Sequence, residues 1–254
     1  MKILVVNPNT TDSMTKRIGA VAQSMANKDT VVTAVNPVMG PVSIEGYHDQ
    51  AFSVPGLLEE IGKGHAEGYD GYIIACFDDT GLDAARSLVP EPVLGLCEAA
   101  VHTASFLGGR MSVVTTLKRS VPAIHTLVTR YGVAHRCTVR AAEVPVLALE
   151  DPESNAVERI REEIRFAVTQ DYAETIVLGC AGMADLAKAL TEEFRLPVID
   201  GVAAATKLME ALIGLGLKTS KVGGYAAPLE KAYLGELARF SPGKHQPLKR
   251  GDNV

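Results

Sequence analysis

Short β-branched runs alternate with longer helical stretches along this chain, and the alternation restarts near Met111. Strands are expected at Lys2 to Val6, Thr30 to Val35, Gly71 to Ala75 and Pro92 to Gly95, then at Met111 to Val114, Cys137 to Ala142, Thr175 to Leu178 and Pro197 to Ile199. Between them, helical periodicity marks Met14 to Met25, Ala51 to Gly64, Leu82 to Leu88, Glu98 to Phe106, Val121 to Tyr131, Asn155 to Gln170, Ala184 to Phe194 and Val202 to Ile213. One more helix is expected near Leu229 to Ala238, before a polar, frayed end. Strand–helix alternation of this kind builds parallel sheets covered by helices on both faces, an α/β fold. Such sheets bind ligands just beyond the carboxyl ends of their strands. Function is therefore sought where a strand stops and a helix is about to start.

Those positions repeat. Val113 lies 108 residues after Val5, Cys180 lies 104 after Cys76, and Pro197 lies 105 after Pro92. Three matches in one order at nearly one offset imply two similar α/β lobes related by a pseudo-two-fold, with a cleft between them. The expected division is a first lobe of 1–97 plus 208–254 and a second of 98–207.

The 254 residues carry 25 Lys and Arg against 30 Asp and Glu, a net charge of −5. No basic stripe invites nucleic acid, and no apolar run approaches the roughly 18 residues of a membrane span. The first strand is too short for a signal peptide, so a cytoplasmic, reducing setting with free thiols is expected. Gly108-Gly109 and Gly223-Gly224 make no dinucleotide fingerprint, and there is no phosphate loop or nucleophile elbow. A small-molecule ligand at the strand ends is the partner that the sheet pattern itself leads one to expect. His102, His125 and His135 read as packing or surface residues.

Of the four cysteines, Cys97 and Cys137 read as small buried hydrophobes. Cys76 and Cys180 occupy equivalent strand ends in the two lobes. Helix N-termini there favour the thiolate, and a pseudo-two-fold faces one thiol toward the other. Such a pair suits inversion of a carbon centre, one sulfur removing a proton while the other delivers one to the opposite face. Inert burial of both is the competing reading. Asp78-Asp79 is read as a helix cap before a metal site. The loop Gly40 to Gly46 is read as a lid, with Glu45 as a helix N-cap or a solvated charge.

Asn7-Pro8-Asn9-Thr10, Ala75-Cys76-Phe77-Asp78, Val113-Val114-Thr115-Thr116, Leu178-Gly179-Cys180, Gly182-Met183 and Pro197-Val198-Ile199-Asp200-Gly201 together resemble the aspartate/glutamate/hydantoin racemase superfamily. The hydantoin and allantoin racemase branch is the nearest in pattern, from Met1 to about Phe240. The resemblance implies two α/β lobes, a homo-oligomer, no cofactor or metal, and Cys76 and Cys180 as the catalytic pair of a two-base racemisation. The Asn-Thr that follows the first cysteine in glutamate and aspartate racemases is Phe77-Asp78 here. Their Thr-His or Thr-Glu after the second is Ala181-Gly182. A less charged substrate with a more acidic C–H fits, and a 5-monosubstituted hydantoin qualifies. Asn9, Phe77, Asp78, Thr115, Thr116, Ala181 and Gly182 would hold its ring, with Val42, Ser43 and Ile44 lining the side-chain pocket. Allantoin racemisation is the nearest alternative, followed by an amino-acid racemase. A non-catalytic two-lobe binder and a thiol–disulfide protein stay open from other classes.

Overall fold

The computed structural model describes residues 1–151 and 153–242. Its first sheet contains β1 (Lys2–Val6), β2 (Val31–Val35), β3 (Gly71–Ile74) and β4 (Val93–Gly95), in the order β2-β1-β3-β4. Its second contains β5 (Met111–Thr115), β6 (Cys137–Ala141), β7 (Thr175–Leu178) and β8 (Val198–Asp200), in the order β6-β5-β7-β8. Every pairing is parallel. The two orders are the same topology, and the registers agree as well: Val5 pairs with Ile73, and Val113 with Val177. The repeat in the sequence is thus a repeat in space. β3, β5 and β7 are buried along their whole length, as expected of apolar runs covered on both faces.

Connecting the strands are α1 (Asp12–Met25), α2 (Tyr47–Ala66), α3 (Leu82–Leu88), α4 (Leu96–Ser105), α5 (Val121–Arg130), α6 (Ala156–Gln170), α7 (Ala187–Phe194) and α8 (Gly201–Gly214). Helices α4 and α8 follow β4 and β8 without a loop and pack on each other where the lobes meet. Their approach depends on Gly201, where a Cβ would stand 2.8 Å from that of Leu96. One continuous apolar cluster runs from Ile3 and Val5 through Ala100 and Ala205 to Val113 and Val177, so the lobes share a core.

Two expectations need correction. The helix at Leu229 to Ala238 is absent, and only a 3₁₀ turn at Gly235–Phe240 forms. Leu229 and Leu234 are 78% and 86% exposed, so no apolar face is covered, and a helix this short is marginal without packing. The polar end expected beyond it, 243–254, lies outside the described residues, as does that part of the expected first lobe. α7 also begins later than its periodicity suggests, because a 3₁₀ turn occupies Ala181–Leu186. No described helix is long and apolar enough to cross a membrane.

Candidate active site

The carboxyl ends of β1, β3, β5 and β7 open on one cavity of about 440 Å³, open solvent at its mouth included. Cys76 enters it from the turn after β3, and Cys180 from the residue before the 3₁₀ turn after β7. The two turns close identically: Asp79 N–H donates to the Cys76 carbonyl and Met183 N–H to the Cys180 carbonyl, each at 3.1 Å. The backbone amides two residues further on, of Asp78 and Gly182, work against the effect of burial on the two sulfurs.

All four cysteines are free. Burial, not the helix ends, sets the acidity of the pair. It raises the Cys180 thiol to about 11, against the opposing hydrogen bond from Gly182. It raises Cys76 further, helped by the adjacent Asp78 carboxylate and opposed by bonds from Thr80 and Asp78. The expected preference for thiolate is therefore reversed, since the desolvation cost outweighs the partial charge of a helix end. Cys97 and Cys137 lie in the core, as expected.

Asn9, Ile44, Phe77, Asp78, Thr115, Thr116 and Ala181 line the cavity with the two thiols. Val42 and Ser43 are not on its wall. Val42 is exposed, and its carbonyl accepts the Thr11 hydroxyl at 2.7 Å. Gly182 lines a smaller neighbouring cavity, although a Cβ there would stand 3.7 Å from Cys180 Sγ. Asn7, Met14, Ala75, Ser120, Val146 and Gly179 complete the wall without having been singled out. Asn7, Ala75 and Gly179 lie inside the quoted motifs, whereas Met14 marks only the start of an expected helix and Val146 belongs to no motif.

Hydrogen bonds narrow what the polar side chains offer. Asn9 Oδ1 is occupied by Asn7 Nδ2 and Thr11 N–H, both at 2.9 Å, while Asn9 Nδ2 faces only the weak acceptor Met14 Sδ at 3.4 Å. Asn9 is thus poised as a donor. Thr115 spends its hydroxyl hydrogen on the Gly179 carbonyl, which leaves its oxygen as an acceptor. Asp78 accepts Gln50 Nε2 at 2.7 Å and is raised by burial.

Asp79 turns away from the cavity and caps α4. Its two oxygens accept the Cys97 and Glu98 N–H groups, both at 2.9 Å, and Tyr131 donates to it at 2.6 Å. One of the two carboxylates is thus a helix cap, but of α4 across the chain and not of α3 beside it. The loop before α2 is strapped to both lobes. Thr10 N–H donates to the Pro41 carbonyl, and Glu45 accepts Val146 N–H at 3.0 Å, so Glu45 is neither a helix cap nor a solvated charge. His102, His125 and His135 are exposed.

Two mirrored parallel-sheet lobes, each presenting a strand-end thiol to one shared cavity, define the class: a two-lobe α/β protein with a paired-thiol cleft. The family model for Asp/Glu/Hydantoin racemase matches residues 3–209. The chain is 50% identical to a hydantoin racemase of Rhizobium meliloti, over 92% of this chain and 98% of that one. It is 48% identical to a hydantoin racemase of a Pseudomonas species (strain NS671), over 94% and 97%. Among solved structures, an allantoin racemase from Klebsiella pneumoniae superposes with a TM-score of 0.93 at 47% identity, over 95% of this chain and 99% of that one. The chain belongs to the Asp/Glu/hydantoin racemase family and is an isomerase of the racemase kind.

Proposed function

We propose that this racemase interconverts the D and L forms of 5-monosubstituted hydantoins by proton transfer at C5 between Cys76 and Cys180, without a cofactor. One observation carries the reading. Both thiols line a single cavity, and its lining includes no Lys, Arg or His. Inversion needs a base on one face and an acid on the other, and two thiols serve in either direction. One thiolate takes the C5 proton, the electron pair moves onto the neighbouring carbonyl, and the opposite thiol returns a proton to C5. The two sulfurs leave the turnover with their protonation exchanged, and the reverse enantiomer resets them. Asn9 Nδ2 is the donor for a ring carbonyl, and the Thr115 oxygen is an acceptor for a ring N–H. An amino acid would bring a carboxylate into a cavity whose one charged side chain is Asp78. A neutral ring escapes that repulsion.

The hydantoin racemases among its relatives support this substrate class. Allantoin, a hydantoin bearing a ureido group, is the second reading, and the allantoin racemase likeness favours it. Met14, Ile44, Phe77 and Val146 give the cavity apolar walls that suit an aryl or alkyl substituent better than a ureido group. Polarimetry on L-5-benzylhydantoin and on allantoin separates them. A higher kcat/KM for benzylhydantoin is expected. A higher value for allantoin establishes the second reading, and no racemisation of either above the buffer rate overturns both.

A further inference from the structure

We propose that Thr80 is a catalytic residue of the Cys76 half-site, its hydroxyl donating to the Cys76 sulfur and stabilising the thiolate, with Asp79 as the residue that positions it. The proposal rests on the two-thiol reading above and deepens it. The two half-sites share a turn closure, and then they diverge. Thr80 Oγ1 lies 3.4 Å from Cys76 Sγ and is buried. The residue 104 positions later is Ala184, which has no donor. A hydroxyl has thus been added to one thiol of a matched pair. The Asp78 carboxylate opposes a second negative charge on either sulfur, and only Cys76 has a side-chain hydroxyl set against it. A hydrogen bond to an ionised sulfur is stronger than one to the thiol, so the contact favours the reactive form.

Asp79 fixes the hydroxyl in place. It holds φ at +46°, a region costly for a residue with a side chain. Its carboxylate is anchored by Cys97 and Glu98 of α4 and by Tyr131 after α5. The turn carrying Cys76 and Thr80 is therefore pinned to a rigid helix end at the lobe junction.

The test measures alkylation of each cysteine by iodoacetamide from pH 7 to 10, resolved by peptide mass spectrometry, alongside kcat and KM for L-5-benzylhydantoin. In Thr80→Val, Cys76 alkylation at a fixed pH is expected to slow roughly tenfold or more while Cys180 is unchanged, and kcat to fall roughly 10- to 100-fold with KM nearly constant. Thr80→Ser, which keeps the hydroxyl, is expected to behave like the parent. Asp79→Asn is expected to slow Cys76 alone, and Asp79→Asn with Thr80→Val to slow it no further than Thr80→Val does. A parent-like Cys76 rate in Thr80→Val overturns the proposal, as does a Thr80→Ser variant as impaired as the valine. Equal slowing of Cys180 shows general loosening and also overturns it, and additive slowing in the double variant removes Asp79 from the account. If neither hydantoins nor allantoin are racemised, the substrate reading fails while the alkylation rates still decide the Thr80 contact.

Discussion

A buried thiol is a poor acid, and at the residue scale that fact sets the acidity of the two sulfurs in the cavity. Cys180 is raised to about 11, so near neutral pH the thiol form dominates and only a small fraction is thiolate. Alkylation of Cys180 is therefore expected to quicken about tenfold for each pH unit between 7 and 9, with no plateau in that range. A plateau below pH 9 contradicts the burial argument. Gly95 marks a second residue-scale constraint. Its counterpart 105 positions later is Asp200, whose carboxylate caps its own helix by accepting Val202 and Ala203 N–H, both at 2.8 Å. In the first lobe the Asp79 carboxylate fills the space that a Cβ on Gly95 would occupy. Gly95→Ala is expected to destabilise the fold by about 1–3 kcal/mol, read as a lowered denaturant midpoint at constant slope. An unchanged midpoint contradicts the exchange of caps.

The same exchange explains, at the element scale, why some boundaries were legible in the sequence and others were not. Strands such as β7 are short apolar runs that leave no other choice, and α8 carries its own cap at Asp200. By contrast, α4 starts at Leu96, two residues before the expected Glu98, because its cap arrives from Asp79. No local pattern announces a cap borrowed across 18 residues of chain. The cavity wall divides in the same way. Strand-end motifs named the thiols, Asn9 and Thr115, whereas Met14 of α1 and Val146 reach the site only through the packing of the lobes. Asp200→Ala is expected to cost about 1 kcal/mol through loss of the α8 cap. A melting temperature equal to the parent's contradicts that assignment.

For the whole molecule, the core shared by both lobes predicts one cooperative calorimetric transition, and two separated peaks contradict it. The direction of its pH dependence follows from buried carboxyls. Asp200 is raised to about 6 and Asp79 to about 7, chiefly by burial. Each contributes stability that is complete below the ordinary carboxyl range and is lost as pH rises through its folded value. Asp83 and Asp171 are lowered by ion pairs with Arg130 and Arg140, and their contributions are already complete at pH 5. The melting temperature is therefore expected to fall from pH 5 to pH 8, and a rise contradicts this balance. The two-lobe plan itself was legible, because the repeat survives at the strand ends that build the site. The joining of the lobes by Glu45 to Val146 and by Tyr131 to Asp79 was not, since each bond unites residues far apart in sequence. On the proposed reading the chemistry belongs to the whole molecule, since each sheet supplies one of the two thiols in the cavity. The most direct test incubates L-5-benzylhydantoin in D₂O under reducing conditions with the parent chain, Cys76→Ser and Cys180→Ser. The parent is expected to give racemic product deuterated at C5, and each variant to lose interconversion by at least roughly a hundredfold. Parent-like racemisation by either variant, or no exchange above the buffer rate with the parent, contradicts the two-thiol account.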